Sequence, residues 1–299
     1  MKSHSQHFKA VMLALLITLI WSTSWVFIKI GLREIPALTF AGLRYFLAFL
    51  CLTPFLFIKE NFRQIKGFHS RDWLRLSIYG LVIYTFAQGF QFLGMAALPN
   101  VTVSLLLNLT SLFVAFSGMF VLKEKPSWLQ WAGVGLNLSG VLIYFFPVTF
   151  QNSNLWGLFF VGLSLIANIA GITQGRAINR SGKYSALVVT VISMGIGSTI
   201  MLISGLVTQG LPKISLINWG IVLLLAVVNT AFAFTVWNYI QQTLTAVETS
   251  LINSLMVVLV AILTWIFLGE GLSGREIFGL VLAVLGVLIV QIKISPKVT

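Results

Sequence analysis

Charged residues are scarce in this 299-residue chain. It contains 19 Lys and Arg and 7 Asp and Glu, so only 9% of its residues are charged, against about 25% in an ordinary soluble domain. A water-soluble fold of this size needs more charge than that to cover its surface. The shortage excludes a soluble enzyme, a nucleic-acid-binding protein and a disordered chain, although the net charge of +12 taken alone would suit nucleic acid.

Cysteine and histidine are scarce as well. The single cysteine, Cys51, excludes a disulfide scaffold and a cysteine-rich metal site. The three histidines, His4, His7 and His69, lie in the N-terminal tail or a loop, where none can activate an intramembrane nucleophile. The motifs of zinc proteases, serine hydrolases and P-loop ATPases are also missing. We therefore expect neither an enzyme nor a cofactor or metal site.

Long apolar runs take the place of charge, and 58% of the residues are hydrophobic. A membrane-spanning helix needs about 20 mostly apolar residues, and barrel strands would alternate in polarity instead. The predicted fold class is therefore an all-α integral membrane protein with ten transmembrane helices. The predicted spans are 9–31, 36–58, 73–95, 99–122, 128–147, 155–175, 184–208, 217–239, 245–268 and 275–292.

Lysine and arginine gather in every second connection between these spans. With the N-terminus inside, fourteen of the 19 lie in cytoplasmic segments and five lie elsewhere. Positive residues collect on the cytoplasmic side of membrane proteins. This bias predicts a multi-pass protein of the cell (inner) membrane, embedded in the lipid bilayer, with both the N- and the C-terminus in the cytoplasm.

The second half of the chain repeats the first. Residues 73–145 align without a gap on residues 219–291 at an offset of 146, and hydropathy extends the match to the first two spans of each half. Residues 1–150 and 151–299 are therefore predicted to be two five-helix units. Because five is odd, the second unit is inverted in the membrane, an architecture that secondary transporters use around a substrate site near the midplane.

Four short motifs mark the two halves: Trp-Ser-Thr-Ser at 21–24, Leu-Arg-Tyr-Phe-Leu-Ala at 43–48, Leu-Lys-Glu at 122–124 and Leu-Gly-Glu at 268–270. With these motifs and glycine-rich spans five and ten, the chain resembles the EamA-type drug/metabolite transporter (DMT) superfamily over essentially its whole length. The resemblance implies ten helices, an inverted five-plus-five repeat, and export or exchange of small metabolites such as amino acids. The family often has a proline about thirteen residues before each glutamate, where this chain has Ser111 and Val257.

Polar side chains inside lipid are costly, so they face protein or a water-filled cavity. Helical spacing puts several of them on shared faces, and the simplest packing turns those faces toward one central cavity. Such an aromatic and neutral-polar cavity would suit a small zwitterionic or amphipathic molecule. The alternative is that many of these groups only bond neighbouring helices or their own backbone. The predicted substrate-binding residues are Ser22, Trp25, Arg44, Tyr84, Gln88, Asn108, Asn168, Asn229, Trp237 and Asn253.

Few charged side chains lie within the spans. Arg44 could hold a substrate carboxylate through two parallel hydrogen bonds, could have a structural or gating role, or could snorkel to the outer surface. Glu248 completes a capping-box pattern with Thr245, and is otherwise the leading candidate for proton coupling because acids are so few. Glu124 and Glu270 close spans four and nine, and we interpret both as architectural groups that pair with cations or cap loop amides.

Glycines recur in spans five and ten. Gly133 and Gly140 are seven residues apart, as are Gly279 and Gly286. Small residues on one face let helices approach closely, so these spans are predicted to pack against each other or to form a homodimer. Two alternatives to metabolite transport remain open at this point, a lipid-flipping member of the same superfamily and a non-transporting receptor or scaffold.

Overall fold

A computed structural model describes residues 2–98, 100–146, 154–268 and 272–291. Over these residues the regular elements are helical, as the apolar runs predict. The helices are α1 (Lys2–Gly31), α2 (Ala37–Leu52), α3 (Lys59–Lys66), α4 (Ser70–Gly80), α5 (Gly89–Ala97), α6 (Asn100–Asn108), α7 (Thr110–Leu122), α8 (Trp128–Phe145), α9 (Leu155–Asn179), α10 (Ala186–Gln209), α11 (Leu216–Ala226), α12 (Ala233–Ile240), α13 (Ala246–Ser254), α14 (Met256–Leu268) and α15 (Gly274–Gln291).

Seven helical stretches among the described residues are long and apolar enough to cross a membrane. A shorter apolar helix runs over Ala246–Ile262. The 18-residue helices α8 and α15 lie where spans five and ten are predicted but are not among the seven. The count of ten spans therefore stays a prediction. The seven stretches are Gln6–Gly31, Ala37–Phe57, Ser70–Ala97, Thr102–Leu122, Leu155–Asn179, Ala186–Gln209 and Leu216–Ile240.

Two of these stretches contain a π-helical segment at matching positions. Leu81–Gln88 joins α4 to α5, and Val227–Phe232 joins α11 to α12. The first residues of the two segments are 146 apart, which is the offset of the sequence repeat. A π-turn places an extra residue in the helix and rotates the side chains that follow it. Helical spacing counted across either segment therefore assigns the wrong faces.

Two further helices break at matching positions. The α-helix is interrupted at Leu109, between α6 and α7, and at Leu255, between α13 and α14, again 146 apart. Neither break involves a proline. Instead, the Ser111 hydroxyl donates to the carbonyl of Asn108 at 3.0 Å and the Ser254 hydroxyl donates back along α13 in the same way. Hydroxyls that bond their own backbone compete with the helical ladder and bend it.

Helices α8 and α15 pack closely along their glycine faces. A Cβ added at Gly140 would lie 2.5 Å from both the nitrogen of Ala283 and the carbonyl oxygen of Gly279. A Cβ at Gly286 would lie 2.5 Å from the carbonyl oxygen of Gly133. Spans five and ten therefore pack against each other within one chain. A homodimer stays a prediction, and Gly135, with nothing within 4 Å of its added Cβ, lies on the face that remains open.

Polar ties at both ends of the bundle join a loop of one half to a helix start of the other. Asp72, in the first turn of α4, accepts from Lys183 at 2.5 Å, which raises the pKa of that lysine. Glu34 accepts from Asn218 and from the hydroxyl and backbone of Ser215 at the start of α11. The bond from the Ser215 hydroxyl is the main cause that lowers the pKa of Glu34. Asp72 and Asn218 are also 146 apart, so the ties follow the repeat.

Candidate functional site

A cavity of about 350 Å³ lies between the two halves of the chain. Its walls come from α1, α2 and α4–α8 in the first half and from α9 and α12–α15 in the second. That volume is within the range of small-molecule sites, roughly 300–1,000 Å³. The predicted central cavity is therefore present, and both halves contribute to it.

Most of the predicted substrate-binding residues face this cavity, and three do not. Ser22, Tyr84 and Asn229 are buried elsewhere. The predicted residues that line the cavity are Trp25, Arg44, Gln88, Asn108, Asn168, Trp237 and Asn253.

Tyr84 and Asn229 lie within the two π-segments, where α-helical spacing fails. Tyr84 is fully buried behind the cavity wall, with its ring 5.2 Å from that of Phe234. The side-chain amide of Asn229 instead faces α1, where it donates to the carbonyl of Ile20 at 2.7 Å and to the Ser24 hydroxyl at 2.8 Å. Both residues support the wall rather than forming its surface.

Span one faces the cavity through one stripe of four residues, which includes the predicted Trp25 but not the predicted Ser22. The Ser22 hydroxyl bonds its own helix at the carbonyl of Leu19, 2.6 Å away. The face that lines the cavity follows steps of three, one and three residues, and Trp25 alone of its members is among the predicted site residues. The stripe consists of Trp21, Ser24, Trp25 and Ile28.

Aromatic rings form one side of the cavity. The ring of Trp21 lies 4.9 Å from that of Trp237 and 5.2 Å from that of Phe234. Tyr45 continues this wall, 5.7 Å from Phe234, and its hydroxyl donates to Gln88 at 2.7 Å. Stacked and tilted rings provide apolar surface and a negative π-face that attracts cations. The sequence reasoning identified Trp237 but missed the other three rings.

Arg44 is buried in the cavity wall, with 3% of its surface exposed. Its Nε donates to the hydroxyl of Thr230 at 2.7 Å, and Nη2 donates to the carbonyl of Asn229 at 3.3 Å. That carbonyl is available because the π-turn diverts the amide of Ala233 to other carbonyls. The guanidinium is thus held inward by neutral oxygens and does not snorkel to the surface.

Two asparagines stand beside the helix breaks. Asn108 ends α6 and Asn253 precedes the break at Leu255, and both line the cavity. The side-chain oxygen of each is buried without a hydrogen-bond partner. Asn168 lies on α9, where its amide donates to the carbonyl of Ser164 at 2.9 Å. Broken helices with polar groups at the break are a feature of substrate sites in transporters.

One end of the cavity is closed by an ionic cluster, which we call the closed end and define by Glu124, Arg176, Gln241 and Ala246. Nε of Arg176 lies 3.0 Å from Glu124, and Nη1 donates to the carbonyl of Gln241 at 2.6 Å. Glu124 also accepts from the amide of Ala246 at 3.2 Å. Glu124 thus pairs with a cation and caps a backbone amide, which are the contacts expected of it, whereas Glu270 lies outside the described residues.

The opposite end of the cavity reaches half-buried side chains at the end of α8 and the start of α15. These are Tyr144, Phe145, Leu272 and Glu276. At the closed end, by contrast, the lining residues Tyr79 and Gln241 are almost fully buried. Among the described residues, the cavity is therefore accessible from the α15 side and shut on the other.

Glu248 lies away from the cavity, where α13 begins. Its carboxylate accepts from the Thr245 amide at 2.8 Å, and the Thr245 side chain accepts from the Glu248 amide in return. The capping box is therefore confirmed. The same carboxylate also lies 2.9 Å from Nε2 of His7 on α1, a contact that no sequence pattern predicts because 241 residues separate the two.

Helices that are long and apolar enough to cross a membrane surround a polar, aromatic cavity, an architecture typical of multi-pass membrane proteins. The model of the EamA-like transporter family matches residues 8–146 and again residues 154–292. The chain therefore belongs to the EamA-like transporter family of the DMT superfamily, and it is a membrane transporter.

Named relatives cover nearly all of the chain. It is 26% identical over 287 residues to the uncharacterized transporter YoaV of Bacillus subtilis, covering 93% of this chain and 95% of the relative. It is 28% identical over 292 residues to a probable amino-acid metabolite efflux pump of Salmonella typhimurium, covering 93% of each. It is 24% identical to the uncharacterized inner membrane transporter YedA of Escherichia coli, covering 91% of this chain and 85% of the relative.

A solved crystal structure has the same fold. It matches with a TM-score of 0.76 at 15% identity, covering 95% of this chain and 97% of the other. At that identity the match concerns the fold alone.

Proposed function

We propose that this protein is a secondary transporter that exports or exchanges small metabolites such as amino acids by alternating access. The observation that carries the proposal is the aromatic and neutral-polar cavity between the two halves, closed at one end and accessible at the other. The efflux-pump name of the Salmonella typhimurium relative supports amino-acid metabolites as the first class to test.

The moving parts in this proposal are two inverted five-helix units, 1–150 and 151–299, with ten spans in all. Their support is the spacing of 146 residues shared by the two π-segments, the two helix breaks and the glycines of α8 and α15. The family model also matches once in each unit. Rocking of inverted units around a fixed site is how such transporters alternate.

With both termini in the cytoplasm, the closed end faces the cytoplasm and the cavity is open to the outside. Inward opening then requires the Glu124–Arg176 pair to separate, because it joins α7 of the first unit to α9 of the second. Each turnover forms and breaks this pair once. Polar residues such as Gln88, Asn108 and Asn253 contact the substrate, while Trp25 and Trp237 pack against its apolar part.

Proton coupling in this proposal involves Glu248 and its partner His7. The pair joins α1 to the start of α13, so protonation of the carboxylate would weaken a contact between the two units rather than a contact with the substrate. Glutamine at 248 can still cap the helix. Glu248→Gln therefore removes the titrating group while it keeps the local fold.

Flux into liposomes tests the proposal. Purified protein is reconstituted into liposomes, and the liposomes are loaded with pooled amino acids and small metabolites. Counterflow and uptake are then measured with and without a pH gradient. We expect substrate-dependent flux that Trp237→Ala reduces and that the exposed-face control Gly135→Ala leaves unchanged. Glu248→Gln should retain counterflow and lose pH-driven uptake. No flux of any solute under any gradient would refute transport, and flux of lipid alone would indicate a flippase.

A further inference from the structure

We propose that Arg44 forms an anion subsite that binds the carboxylate of the substrate, so that the protein selects molecules with one carboxylate. This inference rests on the proposed transport function and specifies the substrate class of the same cavity. It depends on an observation that the transport proposal does not use, namely a buried positive charge without a negative partner.

The charge of Arg44 is not compensated by the protein. Both of its recorded acceptors, the hydroxyl of Thr230 and the carbonyl of Asn229, are neutral. Among the described residues none of the ion pairs includes Arg44. A cation in a low-dielectric wall without a counter-charge is costly, and an anion that enters the cavity removes that cost. The site therefore favours a ligand that brings its own negative charge.

The guanidinium is also fixed in orientation. Thr230, which accepts from Nε, donates in turn to the carbonyl of Leu225 at 2.8 Å. The ring of Tyr45 lies against the guanidinium, 5.2 Å from its carbon to the ring centroid. An arginine held on one edge and stacked on one face presents its remaining N–H groups in a set direction, which suits the planar geometry of a carboxylate.

The rest of the cavity limits the ligand to one anionic group. Among the lining side chains that the structure describes, Arg44 is the lone cation and Glu276, at the accessible end, is the lone acid. An ammonium group would find π-faces at Trp21 and Trp237, and amide oxygens near Asn108. A zwitterion or a simple monocarboxylate therefore fits, whereas a dicarboxylate would leave its second charge unpaired.

A purely structural role for Arg44 makes a different prediction. If the guanidinium only ties α2 to the π-segment Val227–Phe232, its loss weakens every ligand to the same extent. If it binds a carboxylate, its loss weakens carboxylates and spares the matching amides. The ratio of the carboxylate affinity to the amide affinity therefore distinguishes the two roles. A uniform loss of affinity leaves this ratio unchanged.

Binding to the full-length protein in nanodiscs provides this ratio without any transport assay. Tryptophan fluorescence reports occupancy because Trp21, Trp25 and Trp237 line the cavity. The probes are leucine against leucinamide, phenylalanine against phenylalaninamide, and 3-phenylpropionate against its amide. We expect the carboxylate of at least one pair to bind about 10- to 100-fold more tightly, as for a charge-assisted hydrogen bond. In Arg44→Gln that ratio should fall to about one.

Control variants separate a lost subsite from a damaged fold. Lys29→Gln removes a cation from α1 that does not line the cavity, so the ratio should stay at the wild-type value. Thr230→Val leaves the charge but removes one of its fixed acceptors, so the ratio should fall part of the way even if Arg44→Gln does not fold. Equal affinities for acid and amide in every wild-type pair would overturn the inference. If metabolite flux were observed together with equal affinities, the transport function would be supported and only the carboxylate subsite would be refuted.

Discussion

Replacing Gly140 of α8 by alanine should force α8 and α15 apart, because no space exists there for a methyl group. In Gly140→Ala the new Cβ would lie 2.5 Å from the nitrogen of Ala283 and from the carbonyl oxygen of Gly279. Carbon atoms need about 3.5–4.0 Å, so α8 and α15 must move apart by about 1 Å. Backbone atoms cannot swing aside as a flexible side chain does, and the adjustment therefore affects the whole contact.

The free-energy cost of this overpacking can be isolated by comparison with Gly135→Ala on the same helix. Alanine gains up to about 1 kcal/mol of helix propensity over glycine at either position, but only position 140 adds overpacking, which costs about 1–3 kcal/mol. The free energy of unfolding of Gly140→Ala should thus be lower than that of Gly135→Ala by about 1–3 kcal/mol. Thermal unfolding in detergent, followed by tryptophan fluorescence, should show a lower Tm for Gly140→Ala.

Equal stability of the two variants would refute the reasoning, since it would mean that α8 and α15 do not approach at Gly140. A loss of stability in Gly135→Ala would be equally informative. That position has nothing within 4 Å of its added Cβ in one chain, so a penalty there would place a second protomer against the exposed face. Size-exclusion chromatography of both variants distinguishes the two outcomes.

Two further predictions concern the closed end and the loop that contains Glu34. Glu124→Gln removes the charge partner of Arg176, which is only 12% exposed, and should destabilise the closed end by up to about 3 kcal/mol. Ser117 lies where α7 meets α9, with its hydroxyl oxygen 2.8 Å from that of Thr173. With Cys51→Ser as background, Ser117→Cys should react faster with a membrane-impermeant thiol reagent once Glu124 is replaced, and an unchanged rate would argue against a gate. The pKa of Glu34 is lowered, so its ionised form stabilises the fold above its ordinary pKa, and this stabilisation is lost as the pH falls through the lowered value. The Tm difference between wild type and Glu34→Gln should accordingly be present at pH 6 and shrink progressively as the pH falls below the ordinary pKa of a glutamate. A difference that does not shrink in acid would contradict this role.

The helical class could be predicted because apolar runs of about 20 residues have one stable form in lipid. The positions at which the helices are interrupted could not be predicted. Leu81–Gln88 and Val227–Phe232 carry no sequence signal for a π-turn, and the breaks at Leu109 and Leu255 occur without a proline. In each case the departure from an α-helix depends on hydrogen bonds to neighbouring helices or to the backbone. Such bonds are decided by packing and not by local propensity.

The same limit explains the errors at the site. Of the predicted residues in the two π-segments, Gln88 lines the cavity, whereas Tyr84 and Asn229 do not. The extra residue of a π-turn changes which side chains share a face, so α-helical spacing does not decide between them. The pairing of His7 with Glu248 joins residues at opposite ends of the chain. Only the tertiary fold brings these two side chains together.

The repeat and its exceptions have different roles in this molecule. Elements that obey the offset of 146, namely the π-segments, the breaks and the glycines, form the frame that the two halves have in common. The chemistry of the cavity comes from positions that break the symmetry, because Trp25 corresponds to Gly171 and Arg44 to Thr190 at the same offset. Gly171 lets Ile83 approach within 2.6 Å of its added Cβ, whereas the Trp25 indole fills the cavity side of α1. The rings of the cavity come from both units, Trp21 and Trp25 from the first and Phe234 and Trp237 from the second. A second arginine at the position of Thr190 would repel Arg44, so in the proposed transporter one unit alone supplies the positive charge of the cavity.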